Sequence, residues 1–496
     1  MNSHSNQTDF DYAVIGAGYA GVSIAALLQK DGRKVALFDS HSTIGGCAGY
    51  YKRKKFFFDA GATTFSAMAP HEPVGKVFSL LNIKPNLIRL DPGMIILLND
   101  KELIRYSNPD QWMESTTNFF QNSQKSQESF WKHMDVLNRR AFEFLDIPNF
   151  LPIRSLNDIF HSLNIKNLNY LSLIPSLFRS LKSYLNPSLV SDELFYRFLT
   201  EQLMITTQTG PEHAPLLTSA MGLSYPSSTY YPIGGMSKPA LKILEKFQND
   251  GGLFLKRTQI RNISHDNQIY KLESDSNSFL SKGIVSTLPI WNMKNITDGK
   301  IQAYYTRFTK KYPQGPAAFT VYFGVQTKIE LKTCYYQIHL REKIPFTSAG
   351  AIFVSFSHPD DLEKAPEGFR TVTISIHTES EYFLRISKEE YQKRKEEVKL
   401  AILKEFDFHF PDLASEEKLF LEAGTPSTFE DYTGRMEGRV GGIAHSVRPS
   451  LLSLFPNRLP FPKFYQGGDT AFPGQGIPAV LQGSLQIYRN INYYDN

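Results

Sequence analysis

Residues 10–39 read FDYAVIGAGYAGVSIAALLQKDGRKVALFD, and their pattern decides the fold. Apart from Asp11, residues 10–15 are apolar and partly β-branched, as a strand buried in a parallel sheet requires. Gly16, Gly18 and Gly21 then give the spacing G-x-G-x-x-G. Residues 20–30 suit a helix that stops at Asp31-Gly32, and KVALF supplies a second strand with Asp39 at its end. Each position has a task. Gly16 permits the tight turn, Gly18 lets backbone N–H groups approach a pyrophosphate, and Gly21 lets helix and strand pack closely. The helix N-terminus adds partial positive charge. Asp39, roughly 20 residues beyond the first glycine, is placed to accept hydrogen bonds from ribose hydroxyls. Ala17, Tyr19 and Ala20 complete the turn. A dinucleotide-binding strand–turn–helix–strand unit is the reading.

The continuation, DSHSTIGGCAGYYKRKKFFFDAGATTF (39–65), adds a second glycine turn at Gly45-Gly46, an apolar hairpin, and Asp59-Ala60-Gly61 with Thr63. A nicotinamide dehydrogenase would usually proceed to another βαβ unit at this point. A second glycine turn suits a chain wrapping a larger cofactor. Far away, FYQGGDTAFPGQGIPAVLQG (464–483) carries five glycines among its 20 residues and no lysine, arginine or histidine. Such a backbone closes on something lying against it. Pro478 there suits the first turn of a helix.

The rest of the chain narrows the function classes. Its 496 residues exceed one typical core and predict two domains. Hydrophobic residues make up 41% and charged residues 21%, the balance of a folded globule. A net charge of +5 argues against nucleic acid, and the basic run in YYKRKKFFF reads as a solvated turn. Cys47 and Cys334 are the only cysteines, without a CxxC pair, so neither a disulfide framework nor a cysteine zinc site is expected. A reducing compartment follows, with a cytoplasmic protein, or one peripheral on the inner face of a membrane, as the expectation. Asp9 and Asp11 precede YAVIGAGYAGVSIAALL (12–28) where a secretory signal would carry positive charge. No other run is long enough to span a bilayer. HExxH, G-x-S-x-G, Walker A and EF-hand patterns are absent, so no metal is expected. His213, His339 and His445 read as satisfied or exposed histidines, and no catalytic base is named.

MIILLNDKELIRY (94–106) predicts a hairpin turning at Asn99-Asp100. Helical patterns dominate from about 108 to 222. AAFTVYFGV, AIFVSFS and RTVTISIH predict antiparallel strands, and 387–406 an amphipathic helix. The stretch 149–187 is rich in Leu, Ile and Phe, with basic residues against one acid. It suits helices lying in a bilayer interface, or equally the core helices of a domain.

Taken in order, GAGYAG, GGCAG, FDAGAT, YYPIGGMSKPALKILEKFQNDGG, IVSTLP, GPAAFTVYFGV and GGDTAFPGQGIPAV resemble the phytoene desaturase family of flavoproteins, along nearly the whole chain. Within it the chain is most similar to the branch of carotenoid cis–trans isomerases, retinol saturases and bacterial C-3′,4′ carotenoid desaturases. AIFVSFSHPDD, APEG and TPSTFEDYTGRMEGRVGGI are similar to the last group. The resemblance implies FAD, with Gly45, Gly46, Gly61, Ala62, Thr63, Gly235, Met236, Ile260, Gly468, Asp469, Gly474, Gly476 and Ile477 joining the first glycine turn around it. Asp469 would approach the ribityl–pyrophosphate region, and Gly474, Gly476 and Ile477 the flavin ring. There are departures: Ala479 where many relatives have glycine, Cys47 where many have arginine, and Asp39 for the commoner glutamate.

The implied fold is α/β. It has a discontinuous Rossmann-type FAD-binding domain (9–85, 228–300, 460–496) and a mixed α+β substrate domain with an antiparallel sheet (86–227, 301–459). The implied substrate is a lipophilic polyene and the implied reaction desaturation. Carotenoid isomerase and retinol-saturase-like reductase are the alternatives; an amine oxidase-like flavoenzyme and a flavoprotein without catalysis are more remote. Peripheral membrane contact is expected, and nucleic acid is not.

Overall fold

The computed structural model describes residues 9–147, 151–153, 158, 168–224, 228–266, 268–312, 314–327 and 329–495. Part of the 149–187 stretch, including 159–167, therefore lies outside the described residues.

The glycine-rich unit folds as read. The strand Phe10–Ile15 leads through Gly16–Gly18 into the helix Tyr19–Lys30, and the strand Val35–Phe38 returns parallel beside the first. Ser278–Ser286 pairs parallel with the other edge of Phe10–Ile15. Its far end also takes Phe464–Gln466 in parallel. Leu253–Leu255 extends the sheet beyond Val35–Phe38, and an antiparallel meander of Ile260–Asp266 and Ile269–Ser274 leads into Ser278–Ser286. The central strands are buried on both faces, so continuous apolar runs are what they need. The helices Tyr19–Lys30, Ser237–Asn249 and Ile477–Tyr494 share one hydrophobic cluster through Val22, Ala26, Ile243, Phe247, Leu481 and Leu485. The α/β class, with a Rossmann-type unit and a second, largely antiparallel sheet, is borne out.

That second sheet runs in the order Leu419–Gly424, Ala317–Gln326, Phe369–Thr378, Ala351–Phe356, Tyr335–His339, Met94–Leu98, Lys101–Arg105. All neighbours are antiparallel except Met94–Leu98 with Tyr335–His339. The hairpin turns at Asn99 and Asp100, with φ of 50° and 58°, the left-handed pair that a type I′ turn demands. One sheet face packs Val321, Ile338, Ile352, Val372 and Ile374 against the helix Lys388–His409. This helix runs three residues further than the sequence pattern suggested. Only its second half is buried, through Val398, Ile402 and Phe406, which leaves the charged first half in solvent. The helices Pro109–Phe119, Gln124–Asp146, Glu193–Thr206 and Leu216–Ser224 enclose a separate core around Trp112, Trp131, Phe195 and Phe198.

Candidate cofactor and substrate site

The first turn is fixed by contact. A Cβ on Gly21 would stand 1.7 Å from the Gly16 carbonyl oxygen, so only glycine allows the helix this close to the strand. Gly16 itself has φ +99°. Its carbonyl accepts the Thr287 hydroxyl at 3.1 Å, and that hydroxyl lies 3.0 Å from the Ile15 carbonyl. Thr287 also limits the C-terminal glycines, because a Cβ on Gly468 would lie 2.6 Å from its carbonyl oxygen. One residue at the end of Ser278–Ser286 thus joins the two glycine turns from opposite ends of the chain. Nothing in the motif IVSTLP signals this role for its threonine.

Gly18 faces open space. A Cβ there would meet only the Gly45 carbonyl oxygen, at 3.9 Å. No side chain caps the helix Tyr19–Lys30, so its first N–H groups are free to face an anion. Gly45 bridges Gly18 and donates its N–H to the Ala17 carbonyl at 3.0 Å, and Gly46 packs over Gly18. An open glycine cradle at an uncapped helix N-terminus fits the pyrophosphate of a dinucleotide. Asp39 accepts the N–H groups of Ala17 and His41, each at 2.7 Å, and burial raises its pKa from the ordinary carboxylate value. It therefore holds the turn from beneath as well as standing at the strand end. Arg257 and Thr258 donate backbone N–H groups to the His41 and Asp39 carbonyls. Ile260 lies just beyond, its side chain buried in the cluster that includes Ala36 and Phe38.

Gly61, Ala62 and Thr63 follow. A Cβ on Gly61 would meet the Cys47 carbonyl oxygen at 2.7 Å, Ala62 donates to that same oxygen at 3.1 Å, and the Thr63 carbonyl accepts the Tyr335 hydroxyl at 2.6 Å. Gly235 and Met236 reach the site through Asp59, whose Oδ1 accepts the Met236 N–H at 2.8 Å. Asp59 Oδ2 is paired with Lys364 Nζ at 2.6 Å, both side chains nearly fully buried. The Tyr19 hydroxyl donates to the Met236 carbonyl, and the Ala20 carbonyl accepts the Ser484 hydroxyl of the C-terminal helix.

Asp469 already has a partner. Its Oδ2 lies 2.8 Å from Arg435 Nη2. A Cβ on Gly442 would lie 2.1 Å from its carbonyl, so the segment around 434–442 closes tightly over the C-terminal turn. Burial pushes the Cys47 thiol pKa up, while the Arg435 charge pulls it down. Arg435 thus brings its positive charge to the neighbourhood of Cys47, the position where the resemblance expected an arginine. Gly474 (φ +124°) abuts His445, and a Cβ there would stand 2.2 Å from Nε2. Gly476 (φ +83°) and Ile477 open the C-terminal helix, with Pro478 in its first turn. His213 is exposed. His339 and His445 are not the satisfied histidines expected: both rings are buried and neither makes a well-formed hydrogen bond through a ring nitrogen. Burial lowers the His445 pKa to about 4, against a weaker upward pull from the Pro473 backbone.

Two cavities meet at Ala62, Thr63, Thr64, Ile205, Thr206 and Gln475. The larger, about 500 Å³, is walled mainly by apolar side chains, with Glu72, Asn138, His445 and Gln482 among the polar ones. It extends from Ile477 and Phe472, past His445, to Ile153, Leu168, Leu171 and Ile174, which stand exposed on the surface. The smaller, about 300 Å³, lies between Glu193–Thr206 and the second face of the antiparallel sheet. Among the described residues, no group of three or more His, Cys, Asp or Glu side chains is placed to hold a metal, and no helix is long and apolar enough to cross a membrane.

The two acids give a graded expectation. Asp39→Ala should lower flavin retention by about tenfold or more, since it frees two backbone N–H groups and loosens the turn. Asp469→Ala should cost about 2 kcal/mol of stability as well, because it leaves the half-buried Arg435 with only its Nε bond to the Arg439 carbonyl. Flavin absorbance per mole of purified protein, with urea denaturation of each variant, checks both. Full flavin content and an unchanged midpoint would contradict both roles.

Comparison with known proteins agrees with this geometry. Residues 14–81 match the NAD(P)-binding Rossmann-like domain. Prolycopene isomerase from Daucus carota is 24% identical over 95% of this chain and 78% of its own length. The 1-hydroxycarotenoid 3,4-desaturase of a Flavobacterium species is 20% identical, covering 94% of this chain and 96% of its own. Among solved structures, an oxidoreductase from Methanosarcina mazei superposes with a TM-score of 0.63 at 17% identity, covering 96% of this chain and 99% of the other. With a dinucleotide-binding cradle at one end and carotenoid-enzyme relatives along almost all its length, this chain is similar to carotenoid isomerases and desaturases, enzymes of the oxidoreductase class.

Proposed function

We propose that the protein is a FAD-dependent oxidoreductase acting on a carotenoid or related isoprenoid polyene, and that its reaction is desaturation. The larger cavity carries this reading. It is long, mainly apolar and open to a surface of exposed leucine and isoleucine, while its inner end lies against the glycine turns. A water-soluble substrate has no use for such a wall, and a rigid hydrocarbon is stabilised by each apolar contact it makes there.

Bound FAD would supply the hydride acceptor. The protein's own contribution is to hold one bond of the polyene beside the turn at Gly474–Ile477 and to keep water away. His445 lies in the wall of this cavity, and burial, which disfavours its charged form, keeps it a neutral polar group there and a poor base. A second reading, carotenoid isomerisation, is supported by the isomerase from Daucus carota among the relatives.

Coexpression in hosts that accumulate phytoene, lycopene or a poly-cis carotene separates the readings. Loss of two hydrogens with a red shift of absorbance is the expected result. Unchanged mass with altered retention would make the protein an isomerase.

The exposed apolar residues around the cavity opening support peripheral membrane docking, through which a polyene would arrive. Purified protein is expected to float with liposomes, and Leu171→Glu/Ile174→Glu to reduce that fraction severalfold. Equal recovery with and without liposomes would remove docking from the proposal.

A further inference from the structure

The turns that frame the cofactor site are touched at three places by one other stretch of chain, residues 429–442. On the helix Pro426–Thr433, the Tyr432 ring lies 4.8 Å from the His41 ring, beside the turn that begins at Asp39. A Cβ on Gly61 would stand 3.8 Å from Phe429 Cε1, and Phe429 lines the smaller cavity together with Cys47 and Gly61. Arg435 then grips Asp469 with both ends of its fork, Nη2 to Oδ2 at 2.8 Å and Nη1 to Oδ1 at 3.4 Å. Gly442 packs on the Asp469 carbonyl.

The same stretch is held from its outer side. Asn292 donates from Nδ2 to the Gly434 carbonyl at 2.7 Å and accepts the Met436 N–H on Oδ1 at 3.2 Å, so the neighbours of Arg435 share one partner. Arg435 Nε donates to the Arg439 carbonyl at 2.6 Å, and Arg439 Nη1 donates to the Gly315 carbonyl at 2.9 Å. The guanidinium therefore has a fixed place. Burial works against its charge, but Asp469 outweighs that and the Arg435 pKa is raised.

The surroundings lack any other full positive charge. Among the described residues, the walls of the two larger cavities include no lysine or arginine. The cradle offers backbone N–H groups and a helix N-terminus, worth about half an elementary charge, which is little against a diphosphate. Gly46 packs over Gly18, and Cys47, the next residue, lies within reach of the Arg435 charge. A guanidinium has five N–H donors, of which Arg439 and Asp469 take up three; one on each terminal nitrogen is left for a further acceptor.

We propose that Arg435 is a cofactor-positioning residue: its guanidinium, oriented by Asp469, supplies the positive charge that the glycine cradle lacks and binds the diphosphate of FAD. This rests on the FAD reading above and deepens it, by giving one of the cofactor's contacts to a segment that crosses the turns from outside. An arginine suits the task because its planar fork meets carboxylate and phosphate oxygens at once.

The test dialyses purified protein against a series of FAD concentrations and reads bound flavin by absorbance. Arg435→Met alone would leave Asp469 unpaired, so Asp469→Asn is the reference and Arg435→Met/Asp469→Asn the test protein. The test protein is expected to hold FAD about tenfold more weakly than the reference, as the loss of a charged hydrogen bond predicts. Adding Cys47→Arg, which returns a guanidinium from the cradle side, should recover most of that loss. Arg435→Lys, which keeps the charge beside Asp469, should stay close to wild type. Equal affinity of reference and test protein overturns the proposal and leaves the FAD reading standing. A loss that Cys47→Arg does not recover, or an equal loss in Arg435→Lys, assigns the arginine to the fold and also overturns it. Wild-type protein that takes up no flavin at any FAD concentration overturns the FAD reading and the proposal with it.

Discussion

Gly21→Ala is expected to purify with almost no flavin and to unfold at markedly lower denaturant, by about 3 kcal/mol, the upper end of what overpacking costs. The added methyl would lie 1.7 Å from the Gly16 carbonyl oxygen, 2.9 Å from its carbon and 3.1 Å from the Thr287 hydroxyl. None of these is the free end of a flexible side chain. Gly16 is tied on both sides: its N–H donates to the Phe38 carbonyl at 2.8 Å and its carbonyl accepts from Thr287. Relief must therefore come from moving the helix Tyr19–Lys30 off the strand Phe10–Ile15, and that opens the cradle at Gly18.

Gly18→Ala supplies the contrast. Its φ is −74°, ordinary for any residue, and its Cβ would point into open space. That variant should keep wild-type stability and still lose flavin, because the methyl would occupy the place that suits the pyrophosphate. Flavin absorbance per mole of protein and urea midpoints for both variants decide the matter. A Gly21→Ala protein with full flavin and an unchanged midpoint would show that the close approach does not govern binding.

The contrast also explains what could be read from the sequence. Gly16, Gly18 and Gly21 were legible because each answers a constraint set within a few residues, and because few other roles demand that spacing inside strand–turn–helix–strand. Asn99-Asp100 was legible for the same reason. Thr287 was not, because its role depends on Ser278–Ser286 pairing with strands from both ends of the chain. Arg435 was hidden differently. Cys47 looked like the loss of a cationic position, and only the fold shows a guanidinium arriving from the segment that closes over Asp469.

RTVTISIH was read correctly as a strand, yet its polar alternation ordinarily means a solvent-facing side. In the folded chain the same alternation lines the smaller cavity through Ser375 and His377, a distinction that periodicity cannot make. His445 shows the same limit. A scattered histidine is usually satisfied or exposed, and nothing local signals that its ring will be buried against Gly474 without a well-formed hydrogen bond.

The buried pair Asp59–Lys364 carries the second large expectation. Lys364→Met should destabilise the protein by about 3–5 kcal/mol, since it leaves a carboxylate buried without its counter-ion. Asp59 would keep only the Met236 N–H on Oδ1. The damage should extend beyond one ion pair. The Lys364 carbonyl accepts the Phe57 N–H at 2.9 Å, and Asp361, three residues earlier, accepts the Tyr231 hydroxyl at 2.7 Å and the Gly234 N–H at 2.8 Å. This loop of the antiparallel-sheet region therefore grips both Phe56–Asp59 and the turn at Gly234–Met236, the two segments that lead to Gly61 and to the helix Ser237–Asn249.

The double variant Asp59→Asn/Lys364→Met should recover most of the loss, because a neutral amide keeps the Oδ1 acceptor and removes the unpaired charge. Urea denaturation of wild type, the two single variants and the double variant closes the cycle, with a coupling of about 2 kcal/mol or more expected for groups in contact. Additive losses would mean that the two side chains act independently and that the grip lies in the backbone contacts of residues 357–365. A coupled loss accompanied by flavin release would tie cofactor retention to a lysine far outside every glycine motif.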